Sequence, residues 1–141
     1  ITTQGGFVDI GNSDYAISVT QNISTKGGDF SSTGVGSFNY TGLTISTAGD
    51  ITYASGAYKD GGTIDISTTT NNGNVNTGNL VSSGDVNAAA AAAGNITLDA
   101  NGILTVHATK AQGQGAGTGG VVNLTGSAVN IAGSVVTSST G

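Results

Sequence analysis

Short apolar-polar-apolar triplets recur along the chain: Leu43-Thr44-Ile45, Ile64-Asp65-Ile66, Ile96-Thr97-Leu98, Leu104-Thr105-Val106 and Val129-Asn130-Ile131. Alternation with a period of two, closed by Gly, Asn or Asp, is the pattern of a half-buried strand followed by a turn. Helix is a poor competitor. The one helix-favouring window, Ala88 to Ala93 between Asn87 and Gly94, is too short to hold a helix unaided and also fits a cramped corner.

The triplets belong to a larger repeat. Ile1-Thr2-Thr3-Gln4-Gly5-Gly6 returns as Ile23-Ser24-Thr25-Lys26-Gly27-Gly28 and as Ile45-Ser46-Thr47-Ala48-Gly49-Asp50. It comes back shortened as Ile66-Ser67-Thr68, so the spacings are 22, 22 and 21 residues. The second half repeats more loosely. Gly94-Asn95-Ile96-Thr97-Leu98 matches Gly120-Val121-Val122-Asn123-Leu124 at a spacing of 26, and Leu104-Thr105-Val106 matches Val129-Asn130-Ile131 at 25.

A unit this small cannot bury its own apolar face, but it can when stacked on a copy of itself. The spacing therefore predicts an all-β chain, a parallel β-solenoid of about 22 residues per turn and six to seven turns. It is read as a single segment over 1–141. Regular 22-residue turns are expected over 1–70, and looser turns over 71–141 with a Gly/Gln-rich excursion at 110–120. In that register Ile1, Ile23, Ile45 and Ile66 form one inward stack, and Thr2, Ser24, Ser46 and Ser67 an outward hydroxyl rank. Thr3, Thr25, Thr47 and Thr68 turn inward beside a corner, where hydroxyls can bond along the axis. Gly-Gly and Gly-Asp pairs supply the positive φ of tight corners, and the lack of Pro keeps every ladder donor.

Written as stacked turns, the Ile-Ser-Thr-x-Gly-Gly units, Gly94 to Asp99 and Gly119 to Leu124 resemble the repeat region of filamentous-haemagglutinin-type exoproteins. These are the large secreted partners of two-partner secretion in Gram-negative bacteria. The resemblance covers nearly the whole chain. It implies a right-handed parallel β-helix (β-solenoid) that projects from the cell as a stalk. It does not extend to the family's amino-terminal secretion domain, whose Asn-Pro motifs need Pro. No functional residue carries over, because the stalk pattern defines a shape.

Composition narrows the function classes. Of 141 residues, 25 are Gly and 36 are Ser or Thr, while only 8% are charged: eight Asp, three Lys and His107 aside, nothing else titrates strongly at neutral pH. With no Arg and no Lys cluster, nucleic acid is not an expected partner. No window is apolar enough for a helical membrane span, so membrane insertion is not expected either. The chain begins at Ile1, which suggests a processed subunit or an excised segment. Gly and Ser richness can mark a flexible linker, but 36% apolar residues in alternation do not.

Chemistry has little to work with. His107 is the lone His, on an outward strand position, with no second His, Cys or Arg to build a triad. Asp29, Asp50 and Asp85 each follow Gly, the placement of turn-forming Asp rather than of a catalytic pair. Asp29 and Asp50, 21 residues apart, could stack at one corner as an incidental calcium site, although the Gly-Gly-x-Gly-x-Asp nonapeptide is missing. No catalytic residue, metal site or cofactor is expected. Sequons at Asn22, Asn39, Asn95 and Asn123 permit glycosylation. Ice binding needs paired outward Thr ranks, and only one outward position repeats. Phe7, Tyr15, Phe30, Phe38, Tyr40, Tyr53 and Tyr58 fall in the first 58 residues, as core and edge filling or as a lateral contact face.

The expected function is a structural or adhesive segment of an extracellular filament or large secreted adhesin, acting as a stiff presentation rod. Its partners would be neighbouring turns or copies of itself end to end, and a cell-surface glycan or protein receptor. A self-assembling fibre subunit of an extracellular matrix or appendage, stacking end to end, is the alternative; an ice-binding solenoid and a polysaccharide-active β-helix are lesser ones.

Overall fold

In a computed structural model, which describes residues 1–11, 13–52 and 56–140, the protein is all-β and its core strands pair in parallel. Tyr53 lies outside the described residues. The strands fall into three columns, each gathering residues that are distant in sequence.

The first column carries Val8, Phe30, Ile64, Ile96 and Val122 in register, with Ile66, Leu98 and Leu124 two residues further on. The second carries Ile17, Phe38, Val75, Leu104 and Val129, followed by Tyr40, Thr77, Val106 and Ile131. The third carries Ile23, Ile45, Leu80, Thr109 and Val135, with Thr2 bridged to Ser24 beneath them. Period-two alternation explains the sidedness. In Ile64–Thr68 the residues run buried, exposed, buried, half-buried, buried, so both Ile side chains enter the core while Asp65 faces out.

One 17-residue strand, Phe30–Ser46, crosses all three columns. It can do so because it bends twice, where its register to Ile64–Thr68 and Val75–Val81 slips. The bends contain Gly34 and Gly42, at φ of 73° and 74°, a backbone conformation that side chains with a Cβ resist. Each pass of the chain through the three columns therefore forms one layer.

Two of the expected registers are found as read: residues 96–98 lie beside 122–124, and 104–106 beside 129–131. Ile23 beside Ile45 is also found. Ile66 is not in that stack. It pairs with Ser32 below and Leu98 above, and Ser67 with Asp99, all in the first column. Leu80 takes the place assigned to Ile66, and Val81 that of Ser67. The 22-residue spacing expected over 1–70 ends at residue 46, because Phe30 meets Ile64 and Ile45 meets Leu80, gaps of 34 and 35 residues. Ile-Ser-Thr suits an inward-outward-inward strand in any column, so its fourth occurrence marks a different face.

The core is aliphatic with one aromatic cluster. Phe38 sits 6.3 Å edge-on to Phe30 and 6.2 Å from the nearly parallel ring of Tyr40, all three fully buried. The Tyr40 hydroxyl reaches Gln21 O at 2.7 Å and Thr44 O at 2.9 Å, and burial raises its pKa above the usual phenol value. Two inward hydroxyls, those of Thr77 and Thr109, find no partner. An unbonded buried hydroxyl destabilises, while a methyl in its place adds dispersion. Thr77→Val should thus raise the unfolding free energy by about 1 kcal/mol in urea titration. A loss of stability would show that the hydroxyl is bonded after all.

Candidate functional site

Nearly all the extra length of the later layers enters at one corner, between the third column and the first; only three further residues are added elsewhere, between Ile64 and Val75. The corner is closed by a similar latch each time, a Thr or Ser hydroxyl in the four lower layers and an amide bond alone, at Ala111, in the top one. Thr25 donates its hydroxyl to Gly28 O, and Thr47 to Gly62 O at 2.6 Å. Ser82 donates to Gly94 O at 2.7 Å, and Thr3 to Gly6 O in the lowest layer. The matching amide bonds return from Gly28 to Thr25, Gly62 to Thr47, Gly94 to Ser82 and Gly120 to Ala111. The corner threonines were expected to bond along the axis. Thr3 does reach Thr25 O at 3.2 Å and Thr47 reaches Val81 O at 3.4 Å in the adjacent layer, but their shorter bonds cross the corner within a layer, and Ser82 succeeds Thr47 where Thr68 was expected. Thr68 closes a different corner, onto Gly73 O.

In the two lowest layers the latch spans three residues. Above them it holds the feet of three inserted segments, 48–61, 83–93 and 112–119. The inserts stack on one another. Gly49 N–H donates to Ser83 O, Gly84 N–H to Gln112 O, and Asp85 N–H to Lys59 O. Ala90–Ala91 pairs antiparallel with Gln114–Gly115, so part of the Ala run is strand within an insert and not a helical turn. The Tyr58 ring covers Gly5, and its backbone lies against Gly27, which ties the first insert down over the two short corners.

Between the inserts and the third column lies an open groove of about 440 Å³, lined by Asp50, Thr52, Ser83, Asp85, Val86 and Lys110 among others. Its carboxylates are held in place. Asp85 is buried and accepts from Ile51 N–H at 2.7 Å and Asn87 N–H at 2.6 Å. Asp50 accepts from the hydroxyl and the amide of Thr52 and pairs with Lys26 at 3.2 Å. Those bonds hold its carboxyl below the usual range, the Thr52 hydroxyl contributing most and Lys26 less. Fixed acceptors beside an exposed Val86 and the Lys110 ammonium suit hydrogen-bonding recognition.

The other expected positions are scattered. His107 is exposed with Nδ1 2.9 Å from Asn79 Oδ1, a surface contact. Asp29 and Asp50 do not share a site: Asp29 caps Thr63 N–H at 2.7 Å, in a rank where Asn95 likewise caps Val121 N–H. Among the described residues no three metal-binding side chains come together. Asn22, Asn39, Asn95 and Asn123 are all exposed. Of the aromatics, Phe30, Phe38 and Tyr40 fill the core, and Phe7 and Tyr15 are exposed on the lowest layer. The inserted corner was missed by sequence reading, yet it had a signal. The Gly-Gly pairs at 5–6, 27–28, 61–62 and 119–120 each end the corner just before a first-column strand.

One charge pair sits on the outer face of the first column. Burial, and secondarily the charge of Asp99, raise the Asp65 pKa above the usual carboxyl value. A raised folded pKa means that this residue's contribution is fully present below the unfolded value, near 3.9, and fades as pH rises through the folded value. Asp65→Asn should remove that loss, gaining no more than about 0.5 kcal/mol at neutral pH because the side chain, though partly desolvated, still faces solvent that screens it. Melting at pH 4 and pH 7 checks it. An unchanged pH slope in the variant would contradict the assignment. No family model, curated protein or solved structure matches this chain.

Proposed function

We propose that the chain is a right-handed β-solenoid rod, a structural or adhesive segment of an extracellular filament or secreted adhesin, whose inserted corner is its contact surface. The observation that carries this reading is the division of labour within each layer. Three strand columns repeat in register while every long insertion leaves from one corner. In repeat architectures such one-sided insertions are often the binding face. Right-handedness is supported by the strong preference of parallel strand crossovers for that hand.

Mechanically, the ladder supplies stiffness, and the scarcity of charge leaves a hydroxyl- and amide-rich surface. The ligand class that fits the groove is a surface glycan or a polar protein loop, held by the fixed carboxylates of Asp50 and Asp85 and by Lys110. Catalysis has no part in the reading. The test is adhesion of the immobilised chain to glycan arrays and cultured cells, beside a variant in which 83–93 is shortened to the two-residue corner of the lower layers. Retained rod dimensions with lost adhesion are expected. Equal adhesion by both proteins would overturn the role of the corner.

A further inference from the structure

The groove at the inserted corner is one end of a longer trough. A second cavity, of about 260 Å³, adjoins it on the outer face of the third column, and Val81 and Lys110 line both. A third, of about 160 Å³, lies at the bend before that column beside Gly42, Leu43, Gly78 and His107. Asn79 lines the second and the third alike. The trough thus follows the strands from Gly78 to Asp85. It crosses the layers of Ile45, Leu80 and Thr109, each of which has a layer on both sides. It is a lateral surface, independent of what stacks on either end.

Its chemistry is polar at both ends and apolar between them. Val81 and Ala108 make a half-buried floor on the outer side of their strands. Asn79 and His107, 2.9 Å apart, stand exposed at one end, and Val86, 72% exposed, stands beside Asp85 at the other. Asp85 is the member that calls for a partner. It is only 6% exposed, and its oxygens accept the amides of Ile51 and Asn87. No cation of the chain answers its charge. Lys26 pairs with Asp50, Lys59 donates to Ala90 O, and Lys110 makes no ion pair among the described residues. Buried carboxylates are as a rule matched by a cation as well as by hydrogen bonds. This one borders a groove instead.

We infer that Asp85 anchors an Arg side chain of an extended protein segment that lies along the trough. The inference rests on the corner being the contact surface, and it names the partner there. A carboxylate has about four lone-pair positions, so two remain for a planar guanidinium fork, which suits Arg better than Lys. A strand of five residues spans about 17 Å, so a segment of about six fills the trough from Asp85 to His107. Alternate apolar side chains of that segment rest on Val81 and Ala108. The chain's net charge of −5 favours the approach of a basic segment. A neutral glycan would bring hydroxyls to Asp85 but no charge.

Fluorescence anisotropy of the full chain with capped hexapeptides tests this. The peptides carry Val at alternate positions and a single Arg, moved through every position in turn. Binding is expected only with the Arg at or next to one end. Replacing that Arg by citrulline, its neutral isostere, should weaken binding at least tenfold. Asp85→Asn should cost a similar factor with the Arg peptide and leave the citrulline peptide unchanged. Val81→Lys on the floor should also weaken binding about tenfold, while Thr105→Lys, on the outer face of the second column, should not. The citrulline comparison uses the unaltered chain, so it decides the matter even where Asp85→Asn disturbs the insert. No peptide binding, binding indifferent to citrulline, or equal binding wherever the Arg stands overturns the inference. If shortening 83–93 still abolishes adhesion in that case, the corner keeps its contact role and its occupant is a glycan. If adhesion persists as well, both readings fall.

Discussion

Gly62→Ala should cost the fold about 3 kcal/mol, whereas Gly6→Ala should leave it within about 0.5 kcal/mol. Both glycines occupy the same place at the inserted corner, one layer apart from Gly28. A Cβ at Gly62 would stand 2.2 Å from Gly28 O, and at Gly94 2.1 Å from Gly62 O. At Gly28 it would meet Gly6 O at 2.4 Å. The obstacle each time is the backbone of the layer beneath, which cannot move without breaking the ladder. Gly6 has no layer beneath it. Its Cβ would find only the Thr3 side chain at 3.6 Å, an ordinary contact. Chemical denaturation of Gly6→Ala, Gly28→Ala, Gly62→Ala and Gly94→Ala should therefore split one against three. Four similar values would mean that the glycine rank is not stacked.

Phe38→Ala should be costlier still, about 3–5 kcal/mol, the range for emptying a buried aromatic position. Phe38 lies between Phe30 and Tyr40 and between the second-column neighbours Ile17 and Val75. Parallel strands fixed by hydrogen bonds on both sides leave little room for collapse, so the cavity persists and the upper part of the range applies. The equivalent truncation at the top of the same column, Val129→Ala, should cost less than about 1 kcal/mol, since that side chain is already 41% exposed. Urea unfolding of the two variants checks the contrast, and similar losses would show that the end layer is covered in solution. On the alkaline side the same cluster sets a limit. The raised pKa of Tyr40 means that its contribution is complete below about pH 10 and is lost as pH climbs through the folded value.

Much of the ladder was legible from short-range alternation. Gly94 to Leu98 against Gly120 to Leu124, and Leu104 to Val106 against Val129 to Ile131, gave true strand neighbours. They did so because inward apolar positions and the corner glycine beside them are fixed together. The fourth Ile-Ser-Thr misled for a physical reason. An alternating triplet reports that one face is buried and says nothing of which column holds it. The insert 48–61 happened to place residue 66 at nearly the repeat distance while sending it to a different face. The inserted corner itself was hidden because its geometry resides in carbonyl positions, seen only once Gly28, Gly62, Gly94 and Gly120 lie on one line. The groove residues Asp50 and Asp85 were read correctly as turn-forming, but their shared setting arises from stacked loops, which no local pattern encodes.

The stacking of layers is the claim on which the rest depends, and an outward rank of the first column tests it directly. Ser31, Asp65, Thr97 and Asn123 lie side by side in register, one per layer. The chain has no native Cys, so cysteines introduced there can be spin-labelled without background. Labels at Thr97 and Asn123 should show the strong dipolar broadening of neighbours about 5 Å apart at the backbone, and labels at Ser31 and Asn123 the weaker broadening of about 14 Å. Absence of broadening for Thr97 with Asn123, or equal broadening in both pairs, would contradict the layered, in-register arrangement.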